Sequence, residues 1–165
     1  MNLKIAGGLA LIAVAAAANP AFAQSVSDGS AGAEIIAPLE IENTADLYFG
    51  TIAPSTSTDD IVAVGSDGSR KCGPALVCLT EDHTPATFKV TGEADYAYTI
   101  TLPTDIVITS ASGDTMTVSR FSGSQDRGEL RDGTDSFTVG GTLAVAARQA
   151  AGQYRGAFTV TVEYN

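Results

Sequence analysis

Tryptophan is absent from this chain, histidine occurs once, cysteine twice, and 9 Lys and Arg stand against 19 Asp and Glu. Each shortage excludes something. A formal net charge of −10 leaves too few cations to neutralise phosphates, which excludes nucleic acid as a partner. The one histidine, His83, sits in the polar stretch Glu81-Asp82-His83-Thr84-Pro85. It reads as a solvated loop residue, and a lone imidazole without a positioned nucleophile is no hydrolytic triad. No Gly-x-Ser-x-Gly elbow occurs, and no Gly-rich phosphate loop follows a strand and opens a helix. Two thiols with one distant imidazole fall short of a four-ligand zinc set. The spaced oxygens of a helix–loop–helix calcium site are missing as well. The acidic groups Asp59-Asp60, Glu81-Asp82 and Glu93 with Asp95 fall at expected turns, where carboxylates serve local hydrogen bonding. The expectation is a protein that is not an enzyme, without cofactor or metal.

Long apolar runs are also missing beyond the N-terminus. Residues 5–18 form one, preceded by Lys4 and broken by Asn19-Pro20. Ala21-Phe22-Ala23 then supplies a small-x-small cleavage site before Gln24. This order of features reads as a removable signal peptide over residues 1–23. The run is shorter than the roughly 20 residues a spanning helix needs. The mature chain, residues 24–165, is expected to be one domain with no membrane span, exported through the periplasm to the cell surface or the extracellular space. Its loss of Lys4 makes it one unit more acidic, a charge that favours solubility and names no partner.

In an oxidising compartment Cys72 and Cys78 are expected to pair. The Gly73-Pro74 step between them favours the turn such a small ring requires. Loop-closure entropy assigns so short a ring about 2 kcal/mol.

What is present is a series of short alternating runs. Odd positions from Ala31 to Ile41 turn apolar, which predicts a strand over 33–41, with a turn at Asn43-Thr44-Ala45. Further strands are expected at 46–52, 60–64, 75–80, 86–91, 96–102, 105–109 and 116–121. Residues 66–71, with Arg70 and Lys71, read as a solvated hairpin tip, and residues 122–134 as a polar Gly-rich connection. Phe137, Val139, Leu143 and Val145 alternate through a Gly140-Gly141 pivot toward the end of the chain. Alanines in 142–151 favour helix intrinsically, yet Leu143, Val145 and Ala147 fit a strand followed by a loop. Strands of this length and spacing, separated by Gly, Asp and Ser turns, predict an all-β antiparallel sandwich. The missing tryptophan and the absence of a long-spaced cysteine pair exclude an antibody-type domain.

The last segment has the clearest pattern. Tyr154, Phe158, Val160, Val162 and Tyr164 fall on one face, with Gly156 in the same series. Arg155, Ala157, Thr159, Thr161 and Glu163 fall on the other. A period of two predicts a long half-buried strand. Five tyrosines, Tyr48, Tyr96, Tyr98, Tyr154 and Tyr164, could form a sugar platform. In strands they more often keep the ring in the core and the hydroxyl at the edge.

The chain resembles a known family through four segments. These are Leu47-Tyr48-Phe49-Gly50-Thr51-Ile52, Ala86-Thr87-Phe88-Lys89-Val90-Thr91-Gly92, Val139-Gly140-Gly141-Thr142-Leu143, and the run from Ala151 to Tyr164. Together they look like the secreted bacterial domain of unknown function DUF4402, similar in outline to spore-coat-protein-U-like and chaperone–usher pilin subunits. Gly152, fourteenth from the end, and Tyr164, next to last, sit where pilins carry the glycine and aromatic residue that a chaperone reads. The resemblance implies an immunoglobulin-like, pilin-like sandwich and β-strand addition at Gly152, Tyr154, Phe158, Val160, Val162 and Tyr164. It also implies a periplasmic chaperone, an outer-membrane usher and self-association in a fibre. Two departures stand beside it. Ile41 and Leu47 lie where pilin cysteines would be, and residues 24–32 offer only Val26 as a large apolar residue for a donor extension. Either residues 33–41 begin the body, or they are themselves a donor and the body begins near Asp46. The functional expectations are a structural or adhesive pilin-like subunit, or a self-complete secreted binding module contacting a surface, matrix or glycan.

Overall fold

The computed structural model describes residues 25–79 and 81–165. The expected signal peptide and Gln24 lie outside the described residues, as does Thr80 at the end of the strand expected over 75–80. The chain divides into two units, Met1–Glu34 and Ile35–Asn165. The described part of the first unit, residues 25–34, has no regular secondary structure and is exposed.

The second unit is built from short antiparallel strands, and no helix occurs among the described residues. In chain order they are β1 (Glu40–Ala45), β2 (Ile52–Ala53), β3 (Asp60–Val64), β4 (Arg70–Cys72), β5 (Val77–Cys78), β6 (Ala86–Thr91), β7 (Ala97–Thr101), β8 (Asp105–Ser110) and β9 (Thr115–Gly123). Then come β10 (Arg127–Glu129), β11 (Thr134–Val145), β12 (Tyr154–Arg155) and β13 (Thr161–Tyr164). The main sheet runs β1-β6-β11-β9-β8-β12, with β3 pairing β11 and β4 pairing β3. A second sheet runs β10-β7-β13, and β2 pairs β5.

The long strand β11 organises the molecule. Its first half, Thr134 to Val139, pairs with β6, and its second half, Gly141 to Val145, pairs with β3. The hand-over falls at Gly140-Gly141, the pivot the sequence suggested. Each half carries its own core. Phe88, Val90, Phe137 and Val139 pack with Tyr98 and Ile100 of β7 and with Leu130. Val62, Val64, Val118, Leu143 and Val145 pack with Phe49 and Leu76, which flank β2 and β5. The three-stranded sheet therefore covers one end of the main sheet, and the β2–β5 layer covers the other. Leu47 and Phe121 pack against both clusters. Removing apolar side chains from water is the dominant stabilising term in such a fold, at about 1.5–3 kcal/mol for each large buried residue.

Several expected boundaries moved, for identifiable reasons. The strand expected at 33–41 forms at Glu40–Ala45, across the residues read as a turn. The Asn43 and Thr44 side chains reach the Thr87 carbonyl beside a register shift, so these turn-type residues sit in a bulged strand end. The strand at 46–52 is reduced to a Tyr48–Thr84 bridge and β2. The connection at 122–134 contains β10, with Leu130 fully buried after it. Gly128 explains why the strand fits there. It lies under the Tyr98 ring, where a Cβ would overlap the ring edge and hydroxyl. The strand-then-loop reading of 142–151 matches the structure, since β11 ends at Val145.

Candidate functional site

The C-terminal ribbon keeps the expected two-residue period. Tyr154, Phe158, Val160, Val162 and Tyr164 are half-buried, while Arg155, Ala157, Thr159, Thr161 and Glu163 are exposed. It is not one strand, however. β12 pairs with β8 at the end of the main sheet, and β13 pairs with β7 at the end of the second sheet. Between the pairs Arg155–Thr109 and Thr161–Thr101, the ribbon advances six residues and its partner path eight. The excess falls around Leu102-Pro103-Thr104, where Pro103 has no N–H to give a ladder. Among the described residues, 156–160 form no main-chain hydrogen bond with the rest of the chain.

Gly156 lets the ribbon pass close to β8, because a Cβ there would approach the Val107 carbonyl oxygen to 2.8 Å. Tyrosines anchor both ends. The Tyr154 hydroxyl donates to the Ala150 carbonyl at 2.7 Å and accepts from Gln149 Nε2 at 2.9 Å. The Tyr164 hydroxyl donates to the Ala37 carbonyl at 3.0 Å and accepts from the Glu93 amide at 2.7 Å. Gly152, by contrast, is exposed outside any strand, and only ordinary contacts would meet a Cβ there.

Phe158 sits between two rings, with centroids 6.0 Å from Phe88 and 5.0 Å from Phe121. Phe121 faces inward because β9 carries a bulge. Gly140 opposes Ser122 while Thr142 opposes Ser119, so Arg120 and Phe121 face one residue, and Arg120 has φ 52°. The extra residue shifts the side-chain phase, from Met116 and Val118 inward to Phe121 inward. Nothing in the residue pattern foretold that shift.

The ribbon's outer edge is a free one. Among the described residues, β12 pairs only with β8, β13 only with β7, and β1 at the opposite end of the main sheet only with β6. Ile41 from β1 and Phe158, Val160 and Val162 from the ribbon all pack, half-buried, against the same cluster. Unpaired edges beside incompletely covered apolar side chains are templates for another strand.

The cysteines form the expected bridge, Cys72–Cys78. It ties β4 to β5, and Cys78 packs on the second cluster. Arg70, expected in a solvated tip, has a side chain only 7% exposed. His83 is half-buried rather than solvated, with Nε2 3.1 Å from the Gly68 carbonyl. Among the described residues there is no group of His, Cys, Asp and Glu suited to a metal ion. No helix there is long and apolar enough to cross a membrane.

Residues 39–164 match the family described as a domain of unknown function, DUF4402. The match spans most of the chain, and the protein belongs to this family. No curated protein and no solved structure matches it.

Proposed function

We propose that the chain is an exported, non-enzymatic structural or adhesive subunit that associates by β-strand addition along its C-terminal ribbon. The supporting observation is the stretch 156–160, extended and without main-chain partners among the described residues, with Phe158 and Val160 half-buried beside it. A strand laid along this edge pairs the open amides and carbonyls and covers the apolar face, which is how extended segments are bound at sheet edges. A periplasmic chaperone would occupy the edge before assembly, and an outer-membrane usher and further copies in a fibre would follow from the same mode of pairing.

The second reading is a self-complete secreted binding module contacting a surface, matrix or glycan. The tyrosine anchors at both ends of the ribbon favour it, since they hold the edge without an added strand. Expression of the chain alone in a periplasm, with hydrogen exchange on the purified product, separates the two. Strand addition predicts aggregation or degradation of the lone chain, and amides of 156–160 that become protected on assembly. A stable monomer at high concentration with cooperative unfolding would favour the self-complete module and overturn the first reading.

A further inference from the structure

The outer face of the main sheet carries an exposed apolar row. Val62, Leu143, Val118 and Ile106 turn inward to the second cluster, so the residues next to them along each strand turn outward. Strand register sets four of these side by side. Ile61 of β3 opposes Ala144 of β11, Ala144 opposes Thr117 of β9, and Thr117 opposes Val107 of β8. Ile61 is 42% and Val107 56% exposed, and Ala144 and Thr117 are exposed between them. Ala63, Thr142, Ser119 and Asp105 form the flanking row on one side, and Thr115 with Thr109 the row on the other. Asp105 is the one charged residue among all of these.

Further charges stand at the ends of the rows. Lys71 of β4 pairs with Ala63, and Arg155 of β12 pairs with Thr109. Among the described residues Asp105 has no ion-pair partner, and the Arg155 guanidinium reaches only Gln153 Oε1, at 3.5 Å. In a chain of net charge −10 the face therefore has a neutral centre with a cation at either end. Exposed apolar patches with a polar rim mark interaction surfaces. No aromatic residue stands in the three rows, which leaves a glycan no ring to stack on.

We infer that this face binds the same face of a second copy of the chain, about a two-fold axis lying along the apolar row. Such an axis lays the row on itself and each flanking row on the opposite flanking row of the other copy. Asp105 then meets the row that holds Arg155, one strand away. Lys71 meets the start of β3, where Asp59 precedes the strand. Each pairing occurs twice by symmetry, so opposite charges ring an apolar centre. The arrangement is sheet-on-sheet packing of the kind found inside sandwiches. With strands about 4.8 Å apart and same-face residues about 6.7 Å apart, the three rows from β4 to β12 span roughly 24 by 13 Å. A contact of that extent is at the small end of specific interfaces and defines a weak dimer. The face is separate from the open edge at 156–160 and does not depend on strand addition.

The test is sedimentation of the purified chain over a range of concentrations. The wild type is expected to dimerise with a Kd of about 0.1 mM. Thr117→Arg, in the middle of the row, should weaken dimerisation at least about tenfold, because it sets two cations against each other across the axis. Its exposed side chain should leave the thermal midpoint of the dilute chain unchanged. Asp105→Arg sets a cation against Arg155, and Arg155→Asp sets an anion against Asp105. Each should weaken the dimer about threefold or more, and the double exchange should restore it. Association through the ribbon would instead persist in Thr117→Arg. A wild type that stays monomeric at about 1 mM, whether or not an insoluble polysaccharide retains it, would overturn the assignment. So would a dimer that survives Thr117→Arg, or a double exchange that fails to restore it.

Discussion

The Tyr164 hydroxyl donates to the carbonyl of Ala37, 127 residues earlier in the chain, at 3.0 Å. This one bond ties the entry to β1 to the exit of β13, so the outermost strands of the two sheets meet at one end of the first core cluster. The Tyr164 ring is also edge-on to Tyr96 at 5.8 Å. Along the rest of the ribbon no comparable tie exists until Tyr154. The edge is held at its ends and open between them, and the predictions below follow from that contrast between closed and open parts of the core.

Val160→Asp tests how open the edge is. Val160 is half-buried, whereas Val90 in β6 is fully buried. A carboxylate at 160 can turn toward water, so it should cost the isolated chain about 1–2 kcal/mol, while Val90→Asp should prevent folding. Urea unfolding of both variants checks this. An equal loss would mean that the ribbon is as closed as the centre of the sheet.

Gly128→Ala tests the lid over Tyr98. The methyl would overlap a ring that is fully buried and hydrogen-bonded, so the ring cannot swing away. Overpacking of this kind costs about 1–3 kcal/mol, and either β10 or the ring must shift. The denaturation midpoint should fall, and amides of Arg127–Glu129 should lose protection in hydrogen exchange.

Tyr98 gives the fold an alkaline limit. Its hydroxyl donates to Asp135 Oδ2 at 2.8 Å, and the same oxygen accepts from Gln125 Nε2 at 2.8 Å. Burial first, then the hydrogen bond to Asp135 and its charge, push the phenol well above its ordinary value. The folded state therefore holds this proton more tightly than the unfolded chain. The associated stability is complete below the unfolded value of about 10 and is lost as pH rises past it. Tyr98→Phe should lose about 1 kcal/mol at neutral pH and show a shallower decline between pH 9 and 11. Urea midpoints across that range are the measurement.

Much of the architecture was legible in the residues. Alternation at Ala86, Phe88 and Val90, at Tyr98 and Ile100, and at Phe137 and Val139 announced strands whose inward faces are the first cluster. These residues are buried on one face of a pleated chain, so their pattern has a period of two whatever the partner strand. The cysteine pair was legible for a related reason, a short ring with a turn inside it. The first strand was misplaced because the small alternating residues from Ala31 to Ala37 imitate a strand, while Asn43 and Thr44 imitate a turn. The burials of Arg70 and His83 were missed because local polarity says nothing of what folds over a residue from elsewhere.

The sequence alone determined the all-β class, the inward faces of the strands carrying Phe88 and Val90, Tyr98 and Ile100, and Phe137 and Val139, and the half-buried character of residues 154–164, because side-chain alternation is a property of the local backbone. Tertiary structure decided where those strands go. It divided the ribbon between two sheets at the Leu102-Pro103-Thr104 corner, turned Phe121 inward by a bulge at Arg120, and set Arg70 and His83 around one cleft. Pairing register and loop packing depend on contacts between residues far apart in sequence, and no local pattern encodes which of them will meet.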